Sequence, residues 1–191
     1  MPLTPQIWLL SSTGAGKPPE GSRPLQDVEL AELVRAAQGG DPLAMAALVR
    51  AVAPYVGRIC GSIALGDGDD AMQETMIQVL RHLRSLREPA ALRGWLRRIA
   101  VREALKLAQA RARQIPIEHI AEQVTDDQSG LRLEVADTLR RLSPNQRAVL
   151  VLRDLEGFTE AEAAAVLRVD VGTVKSRLHR ARQAFRERWL P

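Results

Sequence analysis

The run Val171-Gly-Thr-Val-Lys-Ser-Arg-Leu-His-Arg-Ala-Arg-Gln-Ala-Phe-Arg186 constrains this chain more than any other, because only a helix sorts its residues into two faces. At about 100° per residue, Val171, Val174, Leu178, Ala181 and Phe185 share a sector of roughly 80°. Lys175, Ser176, His179, Arg180, Gln183 and Arg186 point away from it. One side packs, and the other can read DNA. A basic amphipathic helix is most often just a solvated face, so the reading depends on what stands before it.

The preceding residues supply a prop. Thr159 followed by Glu162 is a capping box that opens a short helix through Leu167, with Ala163, Val166 and Leu167 as a small stripe. Arg168 and Val169 make a turn, and Asp170 is the N-cap of the basic helix, where its carboxylate also matches the positive helix end. Capped helix, tight turn and basic helix together predict a helix-turn-helix. Upstream, Ser143-Pro144-Asn145-Gln146 is another start signal, for a helix carrying Val149, Leu150, Leu152 and Leu155 and stopping at Gly157. Residues 131–190 therefore read as about four helices.

The run Leu142-Ser-Pro-Asn-Gln-Arg-Ala-Val-Leu-Val-Leu-Arg-Asp-Leu-Glu-Gly157, followed by Val171-Gly-Thr-Val-Lys-Ser-Arg-Leu-His-Arg-Ala-Arg182, resembles region 4 of bacterial RNA polymerase sigma factors of the extracytoplasmic-function class. The resemblance implies recognition of the minus-35 promoter element through the major groove. It puts Lys175, Ser176, His179 and Arg180 toward base edges and Thr173, Arg177 and Arg182 on phosphates. Two positions depart from the family pattern: Arg168 stands where the turn commonly has Gly, and Asp170 where Pro or Ser is common.

The rest of the chain is then expected to hold the other half of such a factor. Asp27 caps a helix with Leu30, Leu33, Val34 and Ala37 on one face, ended by Gly39. Asp41-Pro42 starts the next, which Pro54 closes or bends, and a further apolar helix runs from Tyr55 to Leu65. Asp67-Gly68-Asp69-Asp70 opens a fourth helix to Leu86; after Glu88-Pro89 a fifth begins near Ala90 and carries Trp95-Leu96-Arg97-Arg98-Ile99-Ala100. The order is similar to sigma region 2, including Asp-Asp-x-x-Gln-Glu-Thr at 69–75. By that resemblance Asp69, Asp70, Gln73 and Glu74 dock on the polymerase, and Leu92, Arg93, Trp95, Arg97, Arg98 and Arg102 serve the minus-10 element.

Charge supports this division. Between Arg81 and Arg113 ten Arg and Lys oppose Glu88 and Glu103; from Gln114 to Thr138 six acids face Arg132; from Leu139 onward eleven basic residues oppose six acids. Two basic blocks thus flank an acidic one, which a chain-wide net charge of +4 conceals. Basic surfaces of this kind suit a polyanion, with affinity driven largely by counterion release. An Arg-rich helix is often no more than solubility charge, and Trp95 beside Arg97 and Arg98 favours function. The acidic middle reads as a linker.

Bases drawn from the stack are usually held by aromatic side chains, and this chain has few, at 3% of residues. Met76, Leu80, Leu86 and Leu92 stand where relatives often carry Phe or Trp. Trp95 serves either as a stacking platform or as a core residue, Leu92 as an apolar wedge, and the loop Arg87 to Arg93 as the place to capture a flipped base. Gly14-Ala15-Gly16-Lys17-Pro18 is not a phosphate loop, since Pro18 replaces the required hydroxyl residue. With no transmembrane run, no signal peptide and Cys60 as the one cysteine, the chain reads as cytoplasmic and free of disulfides. No metal site, cofactor, small-molecule substrate, membrane association or catalytic constellation is expected.

The expectation is an all-α chain of two small helical domains joined by a flexible linker: a disordered extension at 1–25, a region 2 bundle at 26–112, an acidic linker at 113–130 and a region 4 helix-turn-helix at 131–191. Its expected partners are core RNA polymerase, promoter DNA and an anti-sigma factor. Two alternatives stand beside it, a free-standing helix-turn-helix regulator and a sigma-like protein deficient in promoter melting.

Overall fold

The computed structural model describes residues 27–114 and 137–189, all of whose regular structure is helical, in agreement with the all-α expectation. The extension expected at 1–25, residues 115–130 of the expected linker and the start of the second unit at 131 lie outside the described residues.

Helix α1 (Asp27–Gln38) turns Leu30, Val34 and Ala37 into the core, spaced as its sequence periodicity requires. Asp41 caps α2 (Pro42–Ala64), its carboxylate accepting from the backbone N–H of Leu43 at 2.8 Å and of Ala44 at 3.2 Å. Pro54 neither closes nor splits this helix, which corrects the expectation of two segments. An internal proline costs about 3 kcal/mol or more. The offset is the buried stripe of Leu48, Val52, Val56, Ile59 and Ile63, which keeps one face inward on both sides of it. The stretch Pro42–Ser85 also holds one window long and apolar enough to cross a bilayer, unlike the expectation of none; within this stretch Leu48, Val52, Val56, Ile59 and Ile63 of α2 line the core.

Helix α3 (Gly68–His82) starts against the last turns of α2. A Cβ on Gly68 would lie 2.8 Å from the Gly61 Cα, so only glycine allows this approach. Its inward face carries Ala71, Thr75, Met76 and Val79. The Gln38 amide donates to the Leu83 and Leu86 carbonyls at 2.9 and 2.8 Å, tying the end of α1 to the turn after α3. A short 3-10 turn at Pro89–Ala91 leads into α4 (Leu92–Gln114), which packs on α2 and α3 and runs two residues past the boundary expected at 112.

The second unit opens with helical residues 137–141 (α5), then α6 (Pro144–Leu150) with its Ser143 capping box, prolonged by a π turn over Val151–Leu155. Gly157 at φ +70° ends it. Helices α7 (Glu160–Leu167) and α8 (Val171–Trp189) follow, four helical pieces as predicted.

The two units are packed together. Helices α2 and α4 lie against α6, and α4 against α7. Arg147 of α6 is buried; it donates to the Ile63 carbonyl in the last turn of α2 at 2.8 Å, and to the Leu142 and Leu139 carbonyls at 2.8 and 3.3 Å. Burial pushes its guanidinium down to about 10, which leaves it charged at neutral pH, and a cation suits the negative end of α2.

Candidate nucleic-acid and polymerase interfaces

The helix-turn-helix is built from two local devices. Thr159 Oγ1 accepts from the Glu162 N–H at 3.2 Å while Glu162 Oε2 accepts from the Thr159 N–H at 2.7 Å, which fixes the start of α7. Arg168 sits in the left-handed region at φ 54°, ψ 48°, so the turn keeps the geometry that glycine usually provides, at the cost of strain in a non-glycine residue. Asp170 then caps α8, accepting from the Thr173 N–H at 2.8 Å and from Thr173 Oγ1 at 2.7 Å.

Those bonds from the Thr173 side chain, and then from its N–H, hold the Asp170 carboxyl below its ordinary value near 3.8. A depressed carboxyl contributes its stability in full above the ordinary value and loses it as pH falls through the folded one. The first turn of α8 is therefore expected to loosen in acid below about pH 4, and an Asp170→Asn variant to lack that component. Amide exchange at Thr173, compared between the two proteins from pH 5 to pH 2, checks it.

On α8, Val174, Leu178, Ala181 and Phe185 are buried as the stripe predicts, whereas Val171 is 38% exposed at the first turn. Lys175, Ser176, His179 and Arg180 are all exposed on the opposite side. Lys175 Nζ stands 3.5 Å from a Glu160 carboxylate oxygen. Thr173 is half-buried and engaged with the cap, and Arg177 donates to Asn145 Oδ1 at 3.4 Å. Arg182 differs from its expected place on phosphate: it is paired through both nitrogens of one edge with the Asp154 carboxylate, and this bond holds its guanidinium above the ordinary value.

The minus-10 set is divided. Arg93, Arg98 and Arg102 are exposed on or beside α4, and the loop from Arg87 to Arg93 is largely open. Arg98 and Arg102 each donate Nε to a carbonyl one turn back, which aims their outer nitrogens along the helix surface. Trp95 is half-buried against the core, so part of its ring is structural. Leu92 is only 2% exposed, which corrects its assignment as a wedge: the 3-10 turn at Pro89–Ala91 aims it into the bundle. Arg97 is turned toward the second unit. Its Nε donates to Tyr55 Oη at 2.6 Å and lies 3.1 Å from Glu156 Oε2, its Nη1 donates to the Glu156 carbonyl at 3.2 Å, and its Cζ lies 5.0 Å from the centre of the Phe158 ring. Tyr55 donates to Glu156 Oε2 at 2.8 Å; burial, then the Glu156 charge, push its phenol up, so it remains a donor.

On α3, Asp69, Asp70 and Gln73 are exposed and Glu74 is half-buried, accepting from Gln78 at 2.9 Å. These four form one acidic face opposite the buried Ala71, Thr75 and Val79. Cys60, buried beside Thr75, is pushed up to about 11 by desolvation and is a neutral core thiol. Sequence reasoning missed Arg147, Tyr55 and Glu156. A signal for Arg147 was present: Leu150 and Val151, at i+3 and i+4, put it on an apolar helix side.

Comparison with known proteins accords with this geometry. Residues 47–114 match the family model "Sigma-70 region 2" and residues 132–185 match "Sigma-70, region 4". The ECF RNA polymerase sigma-E factor of Salmonella typhimurium is 34% identical over 181 residues, covering 83% of this chain and 93% of that protein. The ECF RNA polymerase sigma factor SigM of Mycobacterium tuberculosis is 36% identical over 159 residues, covering 80% of each. The match to the ECF RNA polymerase sigma factor SigE of Mycolicibacterium smegmatis, at 36%, spans 63% of this chain and about half, 51%, of that protein. Among solved structures, the sigma factor RpoE bound to the anti-sigma factor NepR from Bartonella quintana is similar at a TM-score of 0.57 and 25% identity, over 74% of this chain and 93% of that one. CnrH in complex with the cytosolic domain of CnrY is similar at a TM-score of 0.55 and 27% identity, over 81% and 93%. Two family modules in the right order, on the fold that carries them, place this chain in the sigma-70 family as a sigma factor of the extracytoplasmic-function class, directing promoter-specific transcription initiation.

Proposed function

We propose that this chain works in the cytoplasm as a dissociable subunit of core RNA polymerase, and that it contacts promoter DNA at two elements. The observation that carries the reading is the exposed row Lys175, Ser176, His179 and Arg180 on a helix whose other side is buried and whose entry turn is capped. These four face base edges in the minus-35 element, with Thr173 and Arg177 near the flanking phosphates. Arg93, Arg98 and Arg102, with the open part of Trp95, serve the minus-10 element. The acidic face of Asp69, Asp70, Gln73 and Glu74 docks on the polymerase, and a free-standing regulator has no need of it. An anti-sigma factor is a further partner, a reading supported by the similar structure of a sigma factor bound to the anti-sigma factor NepR. No catalytic step is assigned to the chain.

Two measurements test this. Arg180→Ala is expected to weaken binding to the cognate minus-35 duplex by about 1–3 kcal/mol with relaxed specificity at one base pair, as for a lost base contact. An equal loss on every sequence would reassign Arg180 to phosphate. Asp70→Lys combined with Glu74→Lys is expected to abolish pull-down of core polymerase while leaving duplex binding intact, and retained pull-down would remove polymerase docking from this face.

A further inference from the structure

We infer that the cleft between α4 and α7 is a binding site for a nucleotide carrying two or more phosphates, held by Arg98 and Arg102 from one wall and by Arg168 from the other. The cleft encloses about 540 Å³, within the range of roughly 300–1,000 Å³ that takes small organic ligands. An exposed arginine is most often solvated singly, but these three come from elements far apart in the chain and line one cavity. Arg98 and Arg102 spend only Nε on carbonyls of their own helix, at 3.2 and 3.1 Å. Among the described residues, no hydrogen bond or ion pair engages their outer nitrogens or the side chain of Arg168.

Arg168 carries a second signal. Its φ of 54° and ψ of 48° favour glycine and strain any residue with a Cβ, and such strain collects at ligand clamps. The turn itself needs no guanidinium, yet the one present lines the cleft. Charge decides the chemistry of the ligand. Three open guanidiniums face a single carboxylate, Glu162, which the N–H and hydroxyl of Thr159 already engage. Guanidinium forks pair with phosphate oxygens two at a time, and this excess of positive charge is met by a di- or polyphosphate rather than by one carboxylate. Arg97, paired with Glu156 and seated over Phe158, adds wall rather than open charge. Phe158, Ala165 and Val166 give the cleft an apolar side for the nucleoside. Arg98 and Arg102 also belong to the proposed minus-10 surface, so a bound nucleotide withholds them from DNA; this consequence alone rests on the sigma-factor reading.

The test titrates the full chain with ADP by calorimetry, in magnesium-free buffer and without polymerase or promoter. Saturable binding is expected, displaced by pyrophosphate and absent for adenosine. Arg168→Gly relieves the strained turn, so it should keep or raise Tm and yet bind ADP roughly tenfold more weakly, the loss of one charge-assisted contact. A Cβ on Gly94 meets nothing within 4 Å, so Gly94→Leu extends into the cleft without a clash and suits the helix better than glycine does. That variant should abolish ADP binding at unchanged helical circular dichroism. A nucleic-acid strand offers the same phosphate chemistry, and Gly94→Leu separates the two sources. Its affinity for a short single-stranded oligonucleotide should equal that of wild type, while saturating ADP lowers this affinity in wild type and not in the variant. The site is overturned by absence of saturable ADP binding, by equal binding of adenosine, by ADP affinity indifferent to both substitutions, or by loss of oligonucleotide affinity in Gly94→Leu. Calorimetry reads the nucleotide with no promoter present, so failure of the promoter experiments above and failure of this site are separate results.

Discussion

Arg147→Met is expected to lower the unfolding free energy by about 3 kcal/mol, read as a fall in Tm of roughly 6–12 °C for a chain of this size. The cause is not a lost ion pair, since among the described residues the acceptors of Arg147 are carbonyl groups. Arg147 gathers the carbonyls of Ile63, Leu139 and Leu142, and methionine matches its length without a donor. Each carbonyl left buried without a partner costs about 1–3 kcal/mol, less whatever water the site admits. Two of the three acceptors belong to the second unit, so that unit on its own should melt earlier as well. The third caps α2, and the whole chain should therefore lose more than the isolated unit does. Thermal denaturation followed by circular dichroism on both proteins measures the two effects.

Leu96→Ala is the second large effect, an expected loss of about 3–4 kcal/mol seen as a lower urea midpoint at unchanged slope. Leu96 is 1% exposed on the side of α4 that packs into α2 and α3. Truncation removes its burial and leaves a cavity that three rigid helices close only in part. The control is Leu80→Ala on α3, where a 46% exposed side chain should cost within about 0.5 kcal/mol. A comparable loss at both positions would mean that the α3 surface is covered by something else. Because Leu96 precedes Arg97 and Arg98, the same variant should also blur the proposed minus-10 surface, a loss that stabilising osmolytes would reverse.

Local signals in the chain were enough for most elements. Ser143 with Gln146, Thr159 with Glu162, and Asp170 each declared a helix start, and all three are made as hydrogen bonds between residues three apart. The buried row Val174, Leu178, Ala181 and Phe185 followed from periodicity alone, and so did the exposed Lys175, His179 and Arg180. Such features depend on neighbours along one helix, which is why one-dimensional reading reaches them. Pro54 shows its limit: the rule that proline ends helices is local, while the stripe that keeps α2 whole is satisfied by α3 and α4.

The candidate site was legible in type but not in availability. Arg97, Arg98 and Arg102 look alike in the sequence, yet only the tertiary structure turns one of them onto Glu156, 59 residues away in the chain, and leaves the others outward. Arg182 and Arg180 are likewise two residues apart and differ because Asp154 stands beside one of them. Leu92 reads as an exposed wedge until the turn at Pro89–Ala91 aims it inward.

By itself, then, the amino-acid sequence determined the helices, their caps, the apolar stripes and the two basic faces, since each is settled by residues within about two turns of one another. What only the tertiary structure decided is which charges are free and whether the two units touch. A guanidinium stays in water unless folding brings a carboxylate or a carbonyl within hydrogen-bond reach. Tyr55, Glu156 and Ile63, brought close by packing and not by sequence, made that choice for Arg97 and Arg147.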